Sequence, residues 1–318
     1  MAEKIATRQA YGEELAALGA KNENIVVLDA DLSGSTMTKM FKAAYPERFF
    51  NAGIAEQNMY AMAAGLATSG KIPFASTFAM FAAGRAYEII RNSIGYPHAN
   101  VKICATHAGI TVGEDGATHQ CVEDLALMRA IPGMTVINPA DATSAKILLN
   151  KAAELYGPVY MRFGRAGVPV RYAADADLQI GKAVQLKDGH EATIIATGIM
   201  VEEALAAAEA LEKEGILVRV LDMHTIKPLD EEAILAAAQE TGAIVTAEEH
   251  TVKGGLGSAV AEVVSTGGSV GAPCPVPMAM VGVQDVFGRS GKPAELMAEY
   301  KLTAKDIEEA VNKVVVLK

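Results

Sequence analysis

Tryptophan is absent from this 318-residue sequence and aromatic residues make up 5% of it, so the stacking platforms that bind single-stranded nucleic acid have little to be built from. Positive charge is also scarce. The 28 Lys and Arg against 38 Asp and Glu leave a net charge of −10, which argues against nucleic acid or an anionic membrane as the main partner. A pocket that is locally positive, and takes a small anion, is compatible with that balance. Three cysteines, Cys104, Cys121 and Cys274, form no Cys-x-x-Cys pair and fit a reducing cytoplasm better than a disulfide framework. No apolar run reaches the roughly 18 residues of a membrane-spanning helix. The opening segment Met1–Arg8 has no apolar centre of signal-peptide type, so neither a membrane nor export is expected.

What is present is an apolar fraction of 51% with 21% charge, enough to bury the cores of two ordinary domains. Short β-rich runs alternate with amphipathic stretches, the pattern of parallel α/β domains. Strands are expected at Ile25–Leu28, Ile72–Ser76, Val101–Ala105 and Thr135–Ile137, with helices over Glu56–Thr68, Phe78–Ser93 and Asp141–Tyr156, the last capped by Asp141. Gly164–Lys182 mixes Gly, Pro and Asp without periodicity and reads as a linker. Alternation resumes after it with a strand at Thr193–Thr197, a helix carrying Val201, Ala204, Leu205, Ala208 and Leu211 on one face, and a helical tail from Thr303. The organisation expected is an α/β domain over 1–165, a linker over 166–182 and a smaller α/β domain over 183–318.

Two stretches concentrate the chemistry. In Asn51-Ala-Gly-Ile-Ala-Glu56-Gln-Asn-Met59, one carboxylate opens a helix whose neighbours Gly53, Ala55, Ala61, Ala63 and Ala64 are small. A glutamate there complements the helix dipole; burial among small apolar groups would also raise its pKa. In Thr106-His107-Ala-Gly-Ile-Thr-Val-Gly-Glu-Asp115-Gly-Ala-Thr-His119-Gln120, two histidines, two acids and three glycines share a loop just past a strand. Ligands of open α/β sheets bind at that end of the strands. Cys104-x-x-His107 and His119-x-Cys121 could supply four zinc ligands, but the second spacing is short and Cys104 lies in an apolar strand. Gly267-Gly-Ser-Val-Gly271 satisfies a hydrolase pattern without its strand-to-helix setting, and Arg289-Ser-Gly-Lys-Pro293 lacks the glycine and hydroxyl of a phosphate loop.

Together the two stretches resemble the pyrimidine-binding half of thiamine-diphosphate enzymes, and among these the transketolase family, over essentially the whole chain. The resemblance implies a pyrimidine-binding domain of the thiamine-diphosphate fold followed by a transketolase C-terminal domain. It implies that Glu56 hydrogen-bonds the aminopyrimidine ring and favours its imino tautomer, and that Phe78 and Phe81 of Ser76-Thr77-Phe78-Ala79-Met80-Phe81 line the ring pocket. A further aromatic residue of that motif is replaced here by Gly84. Asp115 and His119 of Gly-Glu-Asp-Gly-x-Thr-His are implied to contact sugar hydroxyls. Arg8 of Ala-Thr-Arg, Ser35 of Ala-Asp-Leu-x-x-Ser, His107 and Arg162 are implied to hold a sugar phosphate, with Arg165 competing for the last place. Asp31 is placed near the cofactor or a subunit interface. Glu248-Glu249-His250 and Gly254-Gly-Leu-Gly257 match a last-domain stretch and are read as packing or subunit contact.

The Gly-Asp-Gly triplet that begins the family's diphosphate and metal motif occurs nowhere in the sequence. The expectation is therefore the C-terminal subunit of a split transketolase of the pentose phosphate pathway, in the cytoplasm. It would move a two-carbon ketol unit between sugar phosphates with thiamine diphosphate. An N-terminal partner would carry Mg2+ or Ca2+, in an α2β2 assembly, so no metal site is assigned to this chain. The rival readings are a 2-oxo acid dehydrogenase β-subunit, a deoxyxylulose-phosphate synthase-like enzyme and a non-catalytic assembly module. The phosphate residues and the acidic loop weigh against the first.

Overall fold

The runs Ile25–Asp29, Ile72–Phe78, Lys102–Thr106 and Val159–Phe163, rich in β-branched and aromatic residues and almost wholly buried, pair side by side as parallel strands. Near-continuous apolar strands of this kind need a covering on both faces. The computed structural model describes residues 4–318; residues 1–3, where the expected first domain and the segment read for export begin, lie outside the described residues. Phe49–Asn51 lies at one edge, and Thr135–Ile137 lies beside Val159–Phe163 on the other side. One face is covered by the helices Thr7–Lys21 and Ala142–Glu154 through Tyr11, Leu15, Leu148 and Leu149. The other is covered by Glu56–Thr68 and the helical segment that follows Phe78.

The second half builds a five-stranded sheet in the order Met278–Val283, Ile244–Thr251, Ala192–Ala196, Val218–Asp222, Val184–Lys187, parallel except for the last strand. The mixed α/β class with parallel sheets agrees with the alternation in the sequence. The halves are not separate bodies. Thr225–Lys227 crosses over to add an antiparallel edge strand beside Thr135–Ile137, and Ile234, Leu256 and Val260 join the same apolar core as Met59 and Ala63. The segment read as a linker is structured as well. Gly167–Pro169 pairs with Lys4–Ala6, and the N–H groups of Arg171 and Tyr172 donate to the Asp141 carboxylate at 2.7 and 2.9 Å.

One element differs from its expectation. Phe78 ends a strand, in register with Thr106, rather than opening a helix. The turns after it widen into two π segments, Met80–Arg85 and Ile90–Gly95. Ala82, Ala83 and Ala86 pack into the core while Arg85 is turned outward. Such widened turns gather at functional sites.

Candidate active site

Glu56 is the first residue of its helix and 2% exposed. Its Oε2 accepts a hydrogen bond from Arg85 Nη1 at 2.9 Å, and no described residue donates to Oε1. Arg85 is 50% exposed and lies over the Phe81 ring, 5.0 Å from its centroid. Sequence reasoning missed this arginine; the signal was a lone charge in an alanine-rich run. At Gly84 no aromatic substitute appears. The Met80 methyl group fills the space where a side chain at position 84 would begin.

Phe78 and Phe81 are nearly parallel, at 10° and 5.9 Å between centroids. His107 stacks on Phe78 at 3.9 Å, and His119 stands edge-on to Phe81 at 5.4 Å. Four rings thus form one aromatic wall, with Arg85 and Glu56 at one end. His107 carries the wall to the other end, where Arg8 Nη1 lies 3.1 Å from His107 Nε2 and 2.8 Å from the Ser35 carbonyl oxygen. A guanidinium can only donate, so Nε2 is the acceptor and His107 carries its proton on Nδ1, which donates to Thr106 Oγ1 at 2.9 Å. Burial, then Arg8, Arg165 and His119, lower the His107 pKa to about 3, so the ring is neutral near pH 7.

Arg8 has its own pKa lowered by burial and by Arg165, and its Nε is buried without a partner. The two guanidinium groups of Arg8 and Arg165, which repel one another beside the neutral His107, make a site that favours an anion. Ser35 is held here by a loop that Asp29 organises. The Asp29 carboxylate accepts from Leu32 N–H at 2.6 Å, Thr36 Oγ1 at 2.7 Å and Thr38 Oγ1 at 2.8 Å. Asp29 was visible only as a polar strand end.

Arg162 does not join this cluster. It is 3% exposed, its Nε donates to Asp124 at 2.9 Å and its Nη2 to the carbonyl oxygens of Glu249 and Cys121 at 2.8 and 3.4 Å. The expectation for Arg162 is corrected: a guanidinium committed to a buried ion pair is not free for a phosphate, and the competing Arg165 is the one coupled to Arg8 and His107. Arg165 reaches Glu114 at 3.0 Å and the Val112 carbonyl oxygen, on the loop that carries Asp115. Asp115 is exposed and His119 half-buried, its Nδ1 2.9 Å from Thr118 Oγ1. Asp31 is exposed and exchanges hydrogen bonds with Asn51, whose Oδ1 also accepts from Gly53 N–H at 3.0 Å, three residues before Glu56.

Next to this wall a cleft of about 700 Å³ opens between the halves, lined by Phe81, Arg85, Gln120, Lys253 and Phe287. A second cavity, about 560 Å³, contains Arg129, Lys182 and Lys227. Each of those cations is already satisfied: Arg129 by Glu262 at 2.6 Å, Lys182 by Glu232 at 2.9 Å, Lys227 by the carbonyl oxygens of Arg129 and Ile131 at 2.8 and 2.6 Å. The zinc reading finds no support in geometry, since no group of three His, Cys, Asp or Glu among the described residues is arranged to hold a metal ion. No helix among the described residues is long and apolar enough to cross a membrane.

Residues 3–170 match the family model for the transketolase pyrimidine-binding domain, and residues 181–307 match that for the transketolase C-terminal domain. A Methanocaldococcus jannaschii protein, described provisionally as a transketolase C-terminal section, is 54% identical over 96% of this chain and 94% of its own length. A 6-deoxy-6-sulfo-D-fructose transketolase subunit of Clostridium sp. strain MSTE9 is 43% identical over 96% and 94%. Human transketolase is 41% identical over 98% of this chain but only 49% of its own, so the chain spans about half of such full-length relatives. Among solved structures, a split-gene transketolase described as an inactive β4 tetramer is similar at 57% identity, with a TM-score of 0.91 over 99% of both chains.

Proposed function

The chain belongs to the transketolase family, and from that membership we propose that it is the C-terminal subunit of a split, thiamine-diphosphate-dependent transketolase, moving a two-carbon ketol unit between sugar phosphates. The observation that carries the reading is the aromatic wall of Phe78, Phe81, His107 and His119. It joins a buried carboxylate at one end to an anion-favouring cluster at the other.

Glu56, Phe78 and Phe81 fit the aminopyrimidine end of thiamine diphosphate: a buried carboxylate with one oxygen unpaired, beside two parallel rings. Bound there, the cofactor supplies the carbanion chemistry that no side chain of this protein can provide. Glu56 would hydrogen-bond the aminopyrimidine ring through the oxygen that Arg85 leaves free and so favour the imino tautomer. Asp31 lies toward the cofactor or a subunit interface. Arg8, Ser35, His107 and Arg165 grip the substrate phosphate, and Asp115 and His119 take the sugar hydroxyls. Neutral His107 offers Nε2 only as an acceptor while Arg8 holds it, so the charge for the anion comes from the two arginines.

The diphosphate and its Mg2+ or Ca2+ belong to a partner bearing Gly-Asp-Gly, which this sequence lacks, in an α2β2 assembly. The inactive single-chain-type tetramer described for the split-gene relative agrees with a chain that does nothing alone. We place the reaction in the pentose phosphate pathway and the protein in the cytoplasm, in keeping with its three free thiols. A second substrate class is a sulfonated sugar, since the same cluster can hold a sulfonate and a similar subunit is described as acting on one.

The test is co-purification with the product of an adjacent Gly-Asp-Gly reading frame, followed by ketol-transfer assays with thiamine diphosphate, magnesium and either phosphorylated or sulfonated donors. The complex should turn over and the chain alone should not. Glu56→Ala should cost the complex about a hundredfold or more in kcat. Robust turnover without a partner refutes the split model, and an unaffected Glu56→Ala complex refutes the catalytic reading.

A further inference from the structure

The loop that carries both histidines is closed at its base within the first half, where Gly109 N–H donates to the Cys121 carbonyl oxygen at 2.8 Å. Its crown is held from elsewhere. The Thr111 N–H, at the start of the tight turn Ile110–Asp115, donates to Glu249 Oε1 at 2.6 Å, across 138 positions of sequence. Glu249 is 2% exposed and its carboxyl group presses against Gly109, where even a methyl group would collide with it. Behind it, Arg162 donates to the Glu249 carbonyl oxygen at 2.8 Å while paired with Asp124. Burial raises the pKa of the Glu249 carboxyl group, and the Thr111 N–H and the nearby charge of Arg162 act against that rise without cancelling it. Gln120 adds a second tie, its Nε2 donating to the carbonyl oxygens of Ile110 and Arg289, each at 3.0 Å.

We propose that Glu249 is a positioning residue for the sugar-phosphate loop. From the second sheet it fixes the backbone from His107 to Asp115, and through Val112 and Glu114 it sets the place of Arg165. The C-terminal half, which contributes none of the assigned site residues, is thereby required for substrate affinity. This inference rests on the function proposed above. Its companions in the Glu-Glu-His triplet do different work: Glu248 accepts from the Leu256 and Gly257 N–H groups at 2.6 and 2.8 Å and caps its own domain's helix, and His250 Nε2 accepts from Ala126 N–H at 3.3 Å.

Two variants of the chain, assembled with the partner, separate positioning from plain packing. Glu249→Met keeps the volume and removes the acceptor; Glu249→Gln keeps an acceptor oxygen. Steady-state kinetics and hydrogen exchange over residues 107–120 are read together, with thermal melting as a check on folding. Glu249→Met should raise KM for the phosphosugar about tenfold, change kcat by less than about threefold and speed exchange of the loop amides. Glu249→Gln should recover KM to within about threefold of the wild type. An unchanged KM, or a lowered kcat alone with unaltered loop exchange, overturns the proposal. Should the wild-type complex fail to transfer ketol units, the functional reading falls, while the exchange comparison, which needs no catalysis, still decides whether Glu249 anchors the loop.

Discussion

Arg162 and Arg165 stand three positions apart on one segment, yet one is sealed between the halves and the other is open to the site. Nothing in their local sequence separates them, because both are charged residues beside a strand end. The difference is the neighbour: Asp124 waits behind Arg162, and Arg8 with His107 faces Arg165. Arg8→Ala and Arg165→Ala should each raise KM for a phosphosugar by about tenfold or more while the melting temperature holds. Arg162→Ala should instead destabilise the fold by about 3–5 kcal/mol, because Asp124 is left buried without its cation. A selective KM effect of Arg162→Ala with stability retained would reverse the assignment made here. Glu56 shows the opposite situation, since its place at a helix opening and its small neighbours were legible in the sequence. Arg85, which holds it, was not.

Among elements, the loop from His107 to His119 depends most on its glycines. Gly109 has φ +81° and ψ −173°, and Gly116 has φ +74° and ψ −169°. That region is nearly closed to any residue with a side chain. At Gly109 a second constraint adds to the first, because the Glu249 carboxyl group occupies the space of a methyl group. Gly109→Ala should therefore cost about 1–3 kcal/mol from backbone strain, and more if Glu249 cannot shift. Urea unfolding of the isolated chain measures it, and a loss below about 0.5 kcal/mol would contradict the geometry. The glycines themselves signalled a tight loop in the sequence. The π-turned segment after Phe78 did not announce itself, since an alanine-rich run is compatible with an ordinary helix and the choice is made by what the alanines pack against.

At the scale of the whole molecule, the seam between the halves holds several buried polar groups. Asp222 ends a strand of the second sheet and accepts from Tyr172 OH at 2.7 Å, while the Tyr172 N–H donates to Asp141 of the first half. Burial raises the Asp222 pKa to about 7 from 3.8. Between those values the unfolded chain releases this proton and the folded one keeps it, so this contribution to stability is full below about pH 4 and is lost as the pH rises through 7. Asp222→Asn removes that term. The stability of the variant relative to wild type should rise from pH 4 to pH 7, by up to a few kcal/mol, in denaturant titrations at each pH. A constant difference across that range would show that Asp222 is ionised in the folded protein. His107, with its pKa lowered to about 3, works in the other direction, its contribution being lost as the pH falls from 6.5 toward 3.

The amino-acid order by itself determined the α/β alternation, the helix that Glu56 opens, the cap at Asp141 and a glycine-punctuated loop rich in polar side chains. These follow from periodicity, capping and backbone freedom, which act over a few residues. Only the tertiary structure decided which arginine faces the anion cluster, that Arg85 pairs with Glu56, and that a carboxylate from the second sheet holds the Thr111 amide. Those outcomes depend on the desolvation and pairing of charges, and the partners come together only when distant segments pack.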